Sequence, residues 1–165
     1  MSLESISGWL ATTPASLTFQ TITWVIPTVQ TLHILAIAVV ISAILMMDLR
    51  VLGLAMSGQP TAAVAHRFLP WVWCTVVVLL ISGAILIVAE PGRSLPNSTF
   101  QLKMVLLIAV LLVTAVFQQG LRRDPLFWER NAALRLGGRL LAVVSLFLWV
   151  GIVFAGRWIA YSMEG

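Results

Sequence analysis

Four long apolar runs, separated by charged and turn-forming residues, set the pattern of this chain. They extend from about Trp24 to Met47, Phe68 to Ala89, Met104 to Leu121 and Leu140 to Ala160. Crossing the hydrocarbon of a bilayer takes roughly 20 residues at about 1.5 Å rise each. The third run is the shortest, and Lys103 is expected to lengthen it by snorkelling to the interface. No stretch alternates with a period of two. A backbone in hydrocarbon must bond to itself, so each run predicts a transmembrane helix. Pro27 suits the first turn of the first span. Residues 3–11, LESISGWLA, are amphipathic and predict a short helix lying on the membrane surface. The expected fold class is all-α: an integral membrane four-helix bundle with an N-terminal interfacial helix, in one domain over residues 1–165.

The connections carry the breakers. Asp48, Arg50 and Arg67 bracket the first, which contains Ser57-Gly58-Gln59-Pro60. The second runs from Glu90-Pro91-Gly92-Arg93 to Pro96-Asn97, and Asn97-Ser98-Thr99 matches a glycosylation triplet. The third, Arg122 to Arg139, is the most charged part of the chain. Asp124-Pro125 is a helix-start signal, so Pro125 to Leu136 predicts an interfacial helix, interrupted at Gly137-Gly138 before the last span. There is no internal repeat.

Composition sharpens the class. Apolar residues make up 60% and charged residues 10%, with a mean hydropathy of +1.01. A soluble domain holds about 45–50% and about 25%. The net charge of +4 is therefore read through topology and not as a nucleic-acid footprint. Cys74 is the single cysteine, which excludes an internal disulfide framework. The N-terminus carries Glu4 and no basic run, unlike a conventional cleaved signal. The first and third connections hold Arg50, Arg67, Arg122, Arg123, Arg130, Arg135 and Arg139; the opposite side holds Arg93, Lys103 and Arg157. This bias places both termini outside the cytoplasm, on the periplasmic side of a bacterial inner membrane. Trp9, Trp24, Trp71, Trp73, Trp128 and Trp158 fall near the expected interfaces as an aromatic belt, and Trp149 falls mid-span as a packing residue.

Polar positions inside the spans are the candidate chemistry. At about 100° per residue, Gln30, His33, Ile37, Val40, Ile44, Asp48 and Val51 share a face of the first helix. Lys103, Leu107, Val110, Thr114 and Gln118 share one on the third, and Ser145, Trp149, Ile152 and Gly156 share one on the fourth. Such stripes turn into a bundle, where small and polar residues join helices. Ionisable groups at membrane depth are costly and rarely idle, which singles out the two histidines. His33 lies near the outer end of the first span and His66 at the inner end of the second. His33 to Met47 alone is roughly 21 Å along the axis, so one iron or metal ion cannot take both as ligands within a chain. His33 is either a ligand or a hydrogen-bond partner of a neighbouring helix, with Gln30 one turn earlier. No Cys/His spacing fits zinc, and no phosphate loop, dinucleotide fingerprint or hydrolase constellation is present.

The segments WLATTP, WVIPTVQTLHILAIAVV, MMDLRVLGL, RFLPWVW, FQLKMVLL and AGRWIAY together resemble an uncharacterised family of small bacterial four-span membrane proteins. LHILA and DLRVLGL are the most specific parts. That family is loosely similar to the membrane domain of copper-resistance D proteins and to small bundles related to b-type cytochromes. The resemblance implies haem or metal binding, with His33 as the matching position. Relatives carry a histidine near the inner end of the third span, where this chain reads Phe117-Gln118-Gln119. An inner bis-histidine site with His66 therefore lacks its second ligand at Gln118.

Two function classes follow. One is an electron-transfer subunit holding haem b, or copper in second place, at His33, with Gln30, Lys103 and Arg157 as neighbours and with quinone or a periplasmic carrier as partner. The other is an accessory subunit with no cofactor, packed against like chains or a larger membrane complex. In both the bilayer is a partner and nucleic acid is not. A reporter that works only outside the cytoplasm, fused after Gly165, is expected to be active; an active cytoplasmic reporter at that position contradicts the charge count.

Overall fold

A computed structural model describes residues 3–158. Two short helices, α1 (Leu3–Ala11) and α2 (Pro14–Thr21), precede the long α3 (Val25–Leu52) and α4 (Thr61–Ala89). The short α5 (Pro91–Ser94) then leads to α6 (Ser98–Arg123), a single 3-10 turn (Phe127–Glu129) and α7 (Ala132–Trp158). Among the described residues there is no strand. The helices α3, α4, α6 and α7 are each long and apolar enough to cross a membrane. The expected end of the last span at Ala160 lies outside the described residues.

Packing joins the helices in the order α4, α3, α7, α6, and α4 meets α6 sparingly. Val40, Ile44, Val64, Val72, Val110 and Ile152 form the buried seam. Ala36, Ala43, Ala65, Ala142 and Ala155 let the backbones approach. The outward faces stay apolar, with Ile34, Leu35, Ile81, Ile108 and Phe147 exposed, as lipid contact requires. The face expected for α3 turns inward at Val40, Ile44 and Asp48, while Gln30 is exposed.

The α3 and α6 helices outrun their apolar runs where caps end them. Gly53 closes α3 in the left-handed conformation at φ 81°, and the Leu54 N–H reaches back to the Leu49 carbonyl at 2.9 Å. This is the glycine-dependent C-terminal motif. Asn97 starts α6, its Oδ1 accepting from Thr99 and Phe100 N–H. The helix thus starts from a cap six residues before Lys103. The second short helix, α2, was not expected; Thr13 caps it and Pro14 is its first residue. The α1 and α2 pair packs on the end of α4 and on α5, with Gln20 Nε2 donating to the Ala89 carbonyl at 3.0 Å.

The third connection departs from expectation. Asp124 Oδ1 accepts from Leu126 N–H and the Asp124 carbonyl from Phe127 N–H, which makes a turn rather than a helix start. Asn131 accepts from Leu134 N–H, and α7 runs unbroken through Gly137-Gly138. Trp128 explains this. It is not an interfacial anchor but a buried plug, 9% exposed, donating Nε1–H to the Phe117 carbonyl at 3.0 Å. Its ring stacks on Phe117 and meets Phe127 edge-on. The glycines are the seat for this ring: a Cβ on Gly138 would stand 3.4 Å from it, and one on Gly120 would stand 2.8 Å from Nε1.

Two alanine substitutions separate seat from breaker. Gly120→Ala overpacks the ring and is expected to cost about 1–3 kcal/mol of stability in detergent unfolding titrations. Gly137→Ala, whose Cβ would lie 3.8 Å from the ring, is expected to be neutral or to gain up to about 1 kcal/mol from helix propensity. Equal losses in both contradict the plug.

Candidate functional site

A cavity of about 370 Å³ lies in the half of the bundle that holds the start of α3 and α6 and the end of α4 and α7. His33 and Ile37 line it from α3, Leu79, Gly83 and Ile87 from α4, Phe100, Lys103, Met104 and Leu107 from α6, and Trp149 and Ile152 from α7. Eight residues separate Val25 from His33, so the imidazole sits about 12 Å along α3 from its start.

The environment of His33 fixes its chemistry. Nδ1 lies 2.7 Å from Ser82 Oγ on α4. Ser82 Oγ also lies 2.7 Å from the Val78 carbonyl and 3.3 Å from Leu79 O, so its single proton has Val78 O as well as His33 Nδ1 within reach. With that proton on Val78, Ser82 Oγ accepts from His33 and the ring proton sits on Nδ1. Nε2 then keeps its lone pair, the arrangement by which a second hydrogen bond orients a ligating histidine. Gly83 lies against the ring, where a Cβ would stand 3.6 Å from Cε1.

The other candidates divide. Lys103 joins His33 in the cavity wall. Its stem lies along Gly156, where a Cβ would meet Nζ at 3.6 Å and Cε at 3.8 Å. Gln30 and Arg157 are both exposed and do not line the cavity. Two wall residues escaped the sequence reading: Ser82, whose spacing from His33 across two helices leaves no local signal, and Met104, one of six methionines scattered along the chain. Trp149 is buried as expected, and its Nε1 has no hydrogen-bond partner among the described residues.

His66 lines a different cavity, of about 460 Å³, at the other end of the bundle with Leu69, Pro70, Trp73, Gln118 and Arg122. The ring is exposed there. Gln118 Oε1 accepts from Trp73 Nε1 at 2.9 Å, tying α6 to α4 where few other contacts do. The two histidines thus share no cavity, and Gln118 works as a helix tie. A third polar group is Asp48, 8% exposed, beside a void of water size with Thr114 and Ser145. Its Oδ2 has no partner among the described residues.

Among the described residues no three His, Cys, Asp or Glu side chains converge as a metal site. No curated protein matches the chain, and no solved structure does. A family model matches residues 9–162, all four spanning helices included, and the chain therefore belongs to the Family of unknown function (DUF6644).

Proposed function

We propose that this chain is a small electron-transfer subunit of the bacterial inner membrane, with haem b held in the His33 cavity. The observation that carries the reading is the His33 Nδ1–Ser82 hydrogen bond in the wall of a largely apolar cavity; with the ring proton on Nδ1, Nε2 keeps the lone pair a ligand needs. Haem brings four nitrogens of its own and asks one or two ligands of the protein; a bare ion asks three or four. A lone imidazole with no convergent Cys, Asp or Glu favours haem over copper on that count. Met104 lines the same wall and would offer a soft thioether as a second ligand. Lys103 supplies a cation for a propionate. The unpartnered Trp149 N–H gives a further donor for an incoming acceptor.

Haem held there supplies one-electron redox chemistry. What the chain contributes is orientation through Ser82, charge through Lys103, and exclusion of water by the apolar wall. The volume lies near the lower end of the roughly 300–1,000 Å³ typical of ligand pockets. The α4–α6 side, where contact is sparse, gives a lipid-soluble quinone access to the site from the bilayer. A periplasmic carrier is the other partner consistent with this depth. The rival reading, a cofactor-free accessory subunit, draws on the bare rings of Phe147 and Phe154 on α7 as contacts for another chain.

A visible spectrum of the purified protein from haem-replete cells decides between them. A Soret band with a redox-sensitive α band is expected, absent in His33→Ala. Ser82→Ala is expected to weaken haem retention about 10–100-fold, the usual cost of losing an outer-shell partner. A colourless wild-type protein contradicts the haem reading and favours the accessory one.

A further inference from the structure

A third cavity, about 300 Å³, lies at the membrane-surface end of the bundle away from His33. Arg50, Thr61, Trp128, Glu129, Arg135 and Arg139 line it. Three guanidinium groups face one carboxylate, a surplus of two positive charges. Glu129 is already satisfied. It accepts from the Thr61 hydroxyl and from Thr61 N–H at 3.2 Å, and pairs with Arg50 at 3.5 Å. The Thr61 hydroxyl above all, then its N–H and the Arg50 and Arg135 charges, hold the Glu129 carboxyl below its ordinary range against the opposing effect of burial. Arg50, its side chain 15% exposed, also donates Nε–H to the Gln59 carbonyl. The surplus therefore rests on Arg135 and Arg139. They stand four residues apart on one face of α7, and Arg135 makes one long contact, 3.5 Å, to the Glu129 carbonyl.

We propose that Arg135 and Arg139, backed by Arg50, form a binding site for the phosphodiester headgroup of an anionic membrane lipid. Planar guanidinium groups match phosphate oxygens in pairs. Basic pockets at the ends of spanning helices meet headgroups at their own depth. The apolar half of such a ligand is provided for as well: Leu136 and Leu140, next in sequence to the two arginines, are 59% and 57% exposed. Guanidinium beside bare leucine fits a charged head with acyl chains better than a free anion. The site stands independently of the haem reading, because it shares no residue with the His33 cavity.

The test uses the whole protein in nanodiscs of phosphatidylcholine, with or without a minority of phosphatidylglycerol, and reads the lipids retained by native mass spectrometry. The wild type is expected to retain phosphatidylglycerol preferentially. Each guanidinium near an anionic headgroup is worth roughly fivefold, so the preference is expected to fall about fivefold in Arg139→Gln and roughly thirtyfold in the double Arg135→Gln/Arg139→Gln protein. Both variants leave the Arg50–Glu129–Thr61 network in place, and the exposed single substitution serves if the double variant fails to fold. Equal retention in wild type and variants overturns the proposal. So does loss of the preference when inorganic phosphate is added to the wild type, since the site would then take a free anion.

Discussion

Hydrocarbon offers no hydrogen bonds, and that shortage organises this molecule. Every spanning backbone is helical because no other single segment satisfies its own amides. Hydroxyls follow the same rule. Ser42, Thr75, Ser82 and Thr114 each return their proton to the carbonyl one turn earlier. At Ser82 this has a chemical consequence. With its proton on Val78, the oxygen accepts, and the imidazole across the interface is the donor. A bond that spares a serine the cost of burial thereby favours one tautomer of His33.

The ends of the bundle are closed by different means. One end carries α1, α2 and α5, with Gln20 bridging to the last carbonyl of α4. The other is closed by Trp128, seated on Gly120 and Gly138 and bonded to the Phe117 carbonyl, with Glu129 next to it holding the start of α4 through Thr61. The asymmetry matters for function. The aromatic plug and arginine cavity face one membrane surface, and the His33 cavity lies toward the other.

Much of this was legible in the chain. Hydropathy located all four spans, and a 100° periodicity put Val40, Ile44 and Asp48 on the inward face of α3 and Ser145, Trp149 and Ile152 on that of α7. Helix ends were less legible, since Gly53 and Asn97 act through backbone geometry beyond the apolar core. Gly137-Gly138 misled because glycine reads as a breaker when its partner is unknown; the partner, Trp128, reaches it through a turn. Of the site, His33 and Lys103 were visible as rare polar groups in apolar runs. Ser82 was not, because it is one of many serines and its meaning depends on which helix α4 packs against. Gln30 was placed by the 100° periodicity yet is exposed near the start of α3, and Arg157 was placed by depth, which does not fix the side of a helix.

A ligand role for His33 requires the ring proton on Nδ1, donated to Ser82, and a free lone pair at Nε2. Nitrogen NMR of cofactor-free protein labelled at histidine, with His66→Gln to isolate one ring, tests it directly. The account predicts a proton on Nδ1 whose signal moves in Ser82→Ala. An imidazolium, or a proton on Nε2 indifferent to Ser82, would contradict it.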